Sequence, residues 1–197
     1  MTTSPKFVSR AGEKLDAALD AFGIDVAGFT CADFGCNVGG FTDCLLARGA
    51  AKVYAVDTGY GELAWKLRRD ARVVVMERTN ALYCPVPEPV DLVVIDVAWT
   101  TQSLIVPAAR KWLKGPGDAP TAGRRAVISL LKPHYEQARL SGRKPHQVLG
   151  EALCREVCLE VCRRLGEQGA AVSAVMPSAL LGKGGNREFI LLLELHD

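Results

Sequence analysis

Residues 31–41 read CADFGCNVGGF, and this stretch decides the fold that we expect. It joins a short apolar run, a glycine-rich turn and the beginning of a helix, and a second strand-like run, residues 53–56 (VYAV), leads to Asp57. α/β proteins build a nucleotide-binding crevice from a strand, a glycine turn, a helix and a second strand that ends in an acid. The glycines let the backbone approach the ligand, and the acid accepts hydrogen bonds from ribose hydroxyls. The stretch therefore predicts a cofactor that contains a nucleoside.

The spacing of the glycines indicates which nucleoside cofactor fits. The dinucleotide motif G-x-G-x-x-G has glycines at its first, third and sixth places, whereas Gly35, Gly39 and Gly40 occupy the first, fifth and sixth places. The glycine that lets the backbone meet a pyrophosphate is missing. S-adenosylmethionine, which has a sugar but no pyrophosphate, fits better than NAD. An NAD-dependent oxidoreductase and a tight connection without a ligand stay open as alternatives.

The apolar pattern predicts strands that alternate with helices, which is typical of a doubly wound, Rossmann-like α/β sheet. A loop without a helix joins the last two of seven expected strands, so the last strand should be antiparallel to its neighbour, as in methyltransferase sheets. The polar stretch 136–146 is expected to be a mobile loop. The expected strands are 30–34, 52–56, 72–76, 90–96, 125–131, 170–176 and 188–195. The expected helices are a first one capped by Ser9 and ended by Gly23, and then 40–48, 63–69, 103–113 and 147–168.

Length and composition favour one globular domain, residues 1–197, with residues 1–24 as a helical lead-in. The chain has 197 residues, of which 49% are hydrophobic and 23% charged, so it can bury a sizeable core. A net charge of +2 is too small to indicate nucleic-acid binding by itself. Local groups of cations would form a phosphate-binding surface if they shared one side of the protein. These groups are Lys6/Arg10/Lys14, Lys66/Arg68/Arg69/Arg72, Arg110/Lys111/Lys114 and Arg139/Arg143/Lys144.

The cysteines and the N-terminus predict a cytoplasmic protein without a metal site or a membrane anchor. The seven cysteines have neither a disulfide framework nor a C-x-x-C spacing, and the three histidines lack metal-ligand spacing. Cys154, Cys158 and Cys162 recur every four residues, as expected of small core residues on one helix face. The N-terminus lacks the apolar core of a signal peptide, and no apolar run approaches the ~20 residues that span a bilayer.

Four charged residues should meet at the edge of the sheet where ligands bind. Asp96 and Lys132 each end an expected strand, Glu188 begins the antiparallel last strand, and Lys14 lies on the N-terminal helix. Each could instead be a solvated surface residue. Together they suit the methylation of a hydroxyl, because a lysine can act as the base when burial or a neighbouring cation lowers its pKa. The carboxylates would orient the two ammonium groups, and no metal is required.

Seven segments that span most of the chain resemble one enzyme family. The chain resembles the FtsJ-like ribose 2′-O-methyltransferases, most closely the TlyA branch, whose members are also called hemolysin A. The matching segments are residues 7–15 (FVSRAGEKL), 33–43 (DFGCNVGGFTD), 56–68 (VDTGYGELAWKLR), 77–80 (ERTN), 95–97 (IDV), 131–133 (LKP) and 185–189 (GNREF).

The resemblance implies an S-adenosylmethionine-dependent enzyme that acts on RNA, with ribosomal RNA as the expected substrate. It implies a catalytic Lys-Asp-Lys-Glu tetrad at Lys14, Asp96, Lys132 and Glu188. It also implies ribose contacts at Asp57 and adenine contacts around Thr79 and Asn80. The other cofactor-binding residues that it implies are Asp33, Gly35, Cys36, Asn37, Gly39, Gly40, Phe41 and Asp96.

The chain also departs from the family pattern. TlyA proteins carry an S4-like RNA-binding domain before the catalytic domain, and the early position of the Val8-Ser9-Arg10 motif leads us to expect that this domain is lacking. Ala98-Trp99 stand where the family has serine and phenylalanine, and His134-Tyr135 alter the loop after Lys132-Pro133. Arg10, Arg139, Arg143 and Lys144 are expected to hold RNA phosphates. Trp99 could stack on a base or pack under a loop.

The sequence thus predicts 2′-O-methylation of RNA. Two alternatives stay open: a methyltransferase for a small molecule or protein, favoured by the expected lack of the S4-like domain, and a non-catalytic RNA- or membrane-associated protein, as the hemolysin label suggests. The oligomeric state does not follow from the sequence.

Overall fold

The computed structural model describes residues 5–115, 125–142, 148–182 and 184–194. These residues form a seven-stranded sheet with the order β3-β2-β1-β4-β5-β7-β6, flanked by helices. The strands are β1 (Thr30–Phe34), β2 (Lys52–Val56), β3 (Val73–Met76), β4 (Leu92–Ile95), β5 (Ala126–Leu131), β6 (Ala174–Pro177) and β7 (Phe189–Glu194). The helices are α1 (Ala11–Phe22), α2 (Gly40–Ala47), α3 (Trp65–Arg68), α4 (Gln102–Arg110), α5 (Pro133–Ser141) and α6 (Glu151–Glu167).

The sheet confirms the predicted Rossmann-like fold with an antiparallel last strand. The first five strands are parallel to one another, whereas β7 lies between β5 and β6 and is antiparallel to both. The last residue of β5, Leu131, pairs with the first residue of β7, Phe189. The chain therefore enters β7 at the same edge of the sheet at which it leaves β5.

The core consists of two apolar layers, one on each face of the sheet. Val94 of β4 packs with residues of α1 and α2, whereas Val93 and Ile95 pack with residues of α4 and α6. In the second layer, the rings of Phe34 and Trp112 meet edge-on with centroids 5.2 Å apart. Strands that are covered on both faces read as continuous apolar runs, which explains why the sequence reveals them.

The first helix ends as predicted but begins differently. Gly23 ends α1 with a left-handed φ of 64°, and its N–H donates to the Asp20 carbonyl. The predicted side-chain cap at Ser9 is wrong, because Arg10 occupies the N-cap position without a side-chain hydrogen bond. The Ser9 carbonyl accepts from the Gly12 N–H at 3.1 Å. The Ser9 hydroxyl packs against Gly40, where a Cβ would overlap it.

The prediction of a mobile loop over residues 136–146 is wrong for its first part. Residues up to Ser141 belong to α5, which begins at Pro133, a residue that suits the first turn of a helix. Polar residues that usually mark a loop are here part of the packing, since Glu136 is buried and its Oε1 accepts from the Gln102 N–H at 2.7 Å. Residues 143–147 lie outside the described part of the chain.

The C-terminal elements are shorter than the sequence suggests. The strand β6 begins at Ala174 rather than at residue 170, and the described part of α6 begins at Glu151. Cys154 and Cys158 are buried on α6 and Cys162 is half-buried, which confirms that this face packs into the core.

Candidate active site

Four strands deliver their C-terminal ends to one edge of the sheet. β1 and β4 are neighbours in the middle of the sheet. From β1 the strand order runs through β2 to β3 on one side, and from β4 it runs through β5 and β7 to β6 on the other side. Ligands of doubly wound sheets bind in the crevice at such a switch point. Gly35 follows β1, Asp57 follows β2, Asp96 follows β4 and Lys132 follows β5. These four residues, which the sequence predicts as site residues, therefore lie at the same edge of the sheet.

A cavity of about 380 Å³, which we call the first cavity, opens at this switch point. Asp57 and Asp96 contribute to its wall, as do Trp99 and Lys132. The glycine turn after β1 contributes Gly35, Cys36, Asn37, Gly40 and Phe41. Seven of the eleven predicted cofactor-binding residues thus line one cavity.

The turn after β1 is held in place by its neighbours on both sides. Gly35 has a φ of 84°, and a Cβ there would lie 2.6 Å from the Asp96 carbonyl oxygen. Asn37 has a φ of 48°, and its N–H donates to Asp57 Oδ2 at 2.8 Å. Asp57 Oδ1 accepts from the Gly59 N–H at 2.7 Å. Each carboxylate oxygen can accept more than one hydrogen bond, so Asp57 is oriented and still able to bind hydroxyls.

The other four predicted cofactor residues lie behind or beside the first cavity rather than in its wall. Gly39, with a φ of 97°, lies against Leu63 and Leu67. Thr79 is close to Asp57, because its N–H donates to the Asp57 carbonyl at 2.9 Å. The Asn80 side chain is used in a local turn, where Oδ1 accepts from the Leu82 N–H at 3.0 Å.

Asp33 is the fourth of these residues and is completely buried. Its Oδ2 accepts from the Thr42 hydroxyl at 2.7 Å, while Oδ1 has no hydrogen-bond partner among the described residues. Burial, assisted by the negative charges of Asp96 and Asp57, raises the pKa of Asp33 to about 7. The floor of the site therefore carries a carboxyl group whose ionisation depends on pH near neutrality.

A second cavity of about 270 Å³ adjoins the first and brings the four predicted catalytic residues together. Ser9, Ala11, Asp96 and Lys132 line both cavities. Lys14 and Glu188 line the second cavity only, together with Arg10, His134 and Tyr135.

The four charged residues form two ion pairs. Lys132 Nζ lies 2.5 Å from Asp96 Oδ1, and Lys14 Nζ lies 2.5 Å from Glu188 Oε2. Lys14 and Glu188 are 8% and 5% exposed, which makes theirs a buried pair. Burial of charges is costly unless they are paired, so the surface-residue alternative does not hold for Lys14 and Glu188.

Close packing at two glycines positions the Lys14–Glu188 pair. A Cβ at Gly12 would meet the Phe7 ring, so the segment before α1 lies directly against the helix that carries Lys14. A Cβ at Gly182 would overlap the Glu188 carboxylate. The segment before α1 is fastened further by a hydrogen bond of 2.8 Å from the Val8 N–H to Asp43 Oδ2.

The family-model comparison matches residues 7–195 to the FtsJ-like methyltransferases. The chain belongs to the FtsJ-like methyltransferase family. This assignment favours methyl transfer over the NAD-dependent oxidation that the glycine turn alone left open.

Among FtsJ-like relatives, the chain is 41% identical over 191 residues to the 16S/23S rRNA (cytidine-2′-O)-methyltransferase TlyA of Mycobacterium tuberculosis, covering 95% of this chain and 68% of the relative. It is 34% identical to hemolysin A of Brachyspira hyodysenteriae, covering 94% of this chain and 75% of that protein. A solved structure of a protein described as a hemolysin, from Streptococcus thermophilus, superposes with a TM-score of 0.85 and 32% identity, covering all of this chain and 70% of the other. The helices that the structure describes include none with the length and apolar character to cross a bilayer.

Arg139, which was predicted to hold RNA phosphates, and several cations of the local basic groups are bonded within the protein. Arg139 Nη2 donates to the Trp99 carbonyl at 2.6 Å and so ties α5 to the loop after β4. Arg143 and Lys144 lie outside the described residues. Ion pairs join Lys6 to Asp16, Lys66 to Asp43, Arg68 to Glu77, Arg72 to Asp70 and Lys114 to Asp91. Five of the cations in the predicted groups thus each have a carboxylate partner.

From the sequence, His134 and Tyr135 are recognisable only as departures from the family pattern. In the structure, both line the second cavity. The signal that could have located them is Pro133, which suits the first turn of a helix and so indicates that a helix begins directly after Lys132. A separate groove of about 420 Å³ between α6 and β6 includes Glu188 in its wall but none of Lys14, Asp96 and Lys132. The predicted chemistry is thus concentrated in the first and second cavities.

Proposed function

We propose that this protein transfers a methyl group from S-adenosylmethionine to the 2′-hydroxyl of a ribose in RNA, with ribosomal RNA as the substrate. The observation that carries the proposal is the pair of ion pairs, Lys132–Asp96 and Lys14–Glu188, in a cavity that shares its wall with the glycine-turn cavity. Cofactor and acceptor can then meet at Lys132 and Asp96.

The first cavity has the chemistry to hold S-adenosylmethionine. Asp57 would accept hydrogen bonds from the ribose hydroxyls, since both of its oxygens are already oriented by backbone N–H groups. The backbone of residues 35–37 would lie along the ligand, and Thr79 and Asn80 would lie near the adenine. Asp96 in the wall supplies negative charge, which suits a ligand with a sulfonium and an ammonium group.

The second cavity has the chemistry to activate a hydroxyl. When bound, S-adenosylmethionine supplies a methyl group on a positively charged sulfur, so the methyl is already activated. In that transfer the 2′-oxygen would gain the methyl carbon, and the sulfur would keep the electron pair of the carbon–sulfur bond. Lys132 first releases its ammonium proton to solvent and then takes the hydroxyl proton as the methyl moves, and Asp96 stabilises the ammonium that is restored. Lys14 and Glu188 would hold the acceptor side of the cavity in place. Correct alignment of the 2′-oxygen with the methyl carbon would then supply much of the rate enhancement.

The acceptor follows from the relatives rather than from the geometry. The name of the Mycobacterium tuberculosis relative specifies cytidine 2′-O-methylation in 16S and 23S rRNA. This makes a cytidine ribose in ribosomal RNA the first acceptor to test. The proposal includes a cytoplasmic location, where ribosomal RNA is available, and one catalytic domain over residues 1–197 with residues 1–24 as its helical lead-in.

The test is methyl transfer from labelled S-adenosylmethionine to ribosomal subunits that lack native modifications. We expect label in 2′-O-methyl nucleosides with the wild-type protein and none with Lys132→Ala. Lys52→Ala is the matched control, because Lys52 forms a comparable ion pair with Glu88, at 2.8 Å, away from both cavities.

Three outcomes would contradict the proposal. Label in a base would exclude the ribose as the acceptor. Cofactor binding without transfer to RNA would favour a non-RNA acceptor. No cofactor binding, measured by calorimetry, would favour a non-catalytic protein.

A further inference from the structure

His134 is a buried imidazole in the wall of the second cavity that the proposed chemistry does not use. It lies in the first turn of α5, two residues after Lys132, and is 8% exposed. Its ring packs on that of Tyr135 with centroids 4.3 Å apart. The imidazole therefore lies next to the residues that are proposed to activate the acceptor hydroxyl.

The hydrogen bonds of His134 indicate which nitrogen carries the proton. Nδ1 is buried, and no group in the described part of the chain bonds to it. Burial and the positive charge of Lys132 lower the pKa of His134, so the ring is neutral at physiological pH and has one N–H. A buried N–H without a partner is rarer and more costly than a buried lone pair. The proton is therefore assigned to Nε2, and His134 lines the second cavity.

The other charged groups deep in the second cavity are already engaged. Lys14 is bound to Glu188, and Lys132 is bound to Asp96. The Nε2–H of His134 is thus a donor that a ligand can occupy without breaking an ion pair. A neutral donor also binds an oxygen atom without adding a positive charge beside Lys132 and the sulfonium.

We propose that His134 donates a hydrogen bond from Nε2 to a ribose or phosphate oxygen of the acceptor nucleotide and so holds the 2′-hydroxyl in place against Lys132. This inference rests on the proposed function, because it names a substrate contact for the same site. His134 would be a binding residue for the acceptor and would take no part in cofactor binding, since it lines only the second cavity.

Three substitutions at His134 test the hydrogen-bond donor and the aromatic ring separately. His134→Gln places an amide N–H near the position of Nε2, His134→Asn places one near Nδ1, and His134→Phe keeps a ring but has no donor. We expect His134→Phe and His134→Asn to raise KM for the RNA about tenfold with kcat within about twofold, the effect of one lost substrate hydrogen bond. His134→Gln should stay within about twofold of wild type in both constants.

Cofactor affinity by calorimetry and thermal midpoints should be unchanged in all three variants. Wild-type KM in His134→Phe would overturn the inference, as would a His134→Gln variant no better than His134→Asn. A fall in kcat that tracks a lower thermal midpoint would assign His134 a merely structural role. If the wild-type protein transfers no methyl to RNA, the proposed function fails and this inference fails with it. If the wild type is active and glutamine does not rescue, only the inference fails.

Discussion

Lys132 Nζ lies 2.5 Å from Asp96 Oδ1 at the boundary between the first and second cavities. The two residues come from the ends of neighbouring parallel strands, so the sheet itself sets their separation. Because the ion pair lines both cavities, a cofactor in the first and an acceptor in the second would both touch it.

Asp96→Asn should therefore damage turnover more than folding. Asparagine keeps the shape of the side chain but cannot balance the charge of Lys132, and we expect kcat to fall about 10²-fold, a typical loss for impaired acid–base catalysis. The measurement is methyl transfer at saturating cofactor and RNA. Glu88→Gln is the control, because it neutralises the acid of the Lys52 pair, and it should leave kcat unchanged. Equal kcat in Asp96→Asn and wild type would contradict a role for this pair in the reaction.

The buried pair of Lys14 and Glu188 allows stability and activity to be separated. Lys14→Met leaves the Glu188 carboxylate buried and unpaired, which should cost about 3–5 kcal/mol in the free energy of unfolding. Combining it with Glu188→Leu removes the orphaned charge and should recover most of that loss. Urea denaturation measures both values. Methyl transfer should stay absent in the double variant, whereas activity that returned with stability would make the pair purely structural.

The raised pKa of Asp33 predicts that the free energy of unfolding depends on pH. Its pKa is raised to about 7 in the folded protein from an ordinary value of 3.8, so between these values the unfolded chain loses the proton while the folded protein keeps it. The free energy of unfolding should fall as pH rises through this window, with a limiting slope of about 1.4 kcal/mol per pH unit, and level off above it. Relative to wild type, Asp33→Asn should gain stability from pH 4 to 7.

The comparison for Asp33 is the difference in unfolding free energy between variant and wild type across that pH range. Asp25→Asn serves as the control, because Asp25 is an exposed acid whose replacement should give a flat difference. A flat difference for Asp33→Asn as well would mean that this carboxyl does not keep its proton in the folded protein.

The fold and the outline of the site were predictable because they follow from short-range patterns. Buried parallel strands leave continuous apolar runs, and the acid or lysine after each run must arrive at the same edge of the sheet. Asp57, Asp96 and Lys132 could thus be placed from the residues alone. Lys14 was harder to place, since it comes from a helix outside the alternating pattern and could only be expected to cover that edge.

What the sequence could not predict depends on contacts between distant segments. Nothing in the local pattern says that Lys14 pairs with Glu188, 174 residues away. The helix α5 was missed because its polar residues look solvated, although Glu136 is buried against the first turn of α4. His134 was missed for the same reason, because its burial exists only when α5 forms.

Gly182 should be required for activity through its contact with Glu188. A Cβ at residue 182 would overlap the Glu188 carboxylate, and the φ of Gly182 is one that alanine can adopt. Gly182→Ala should thus displace Glu188 from Lys14 rather than strain its own backbone. We expect methyl transfer to fall about tenfold or more, as misplacement of a catalytic group does, with unchanged cofactor affinity. Gly166→Ala is the matched control, because a Cβ at residue 166 on α6 meets no atom within 4 Å and should stabilise the helix by up to about 1 kcal/mol. Full activity in Gly182→Ala would show that the position of Glu188 does not limit the reaction.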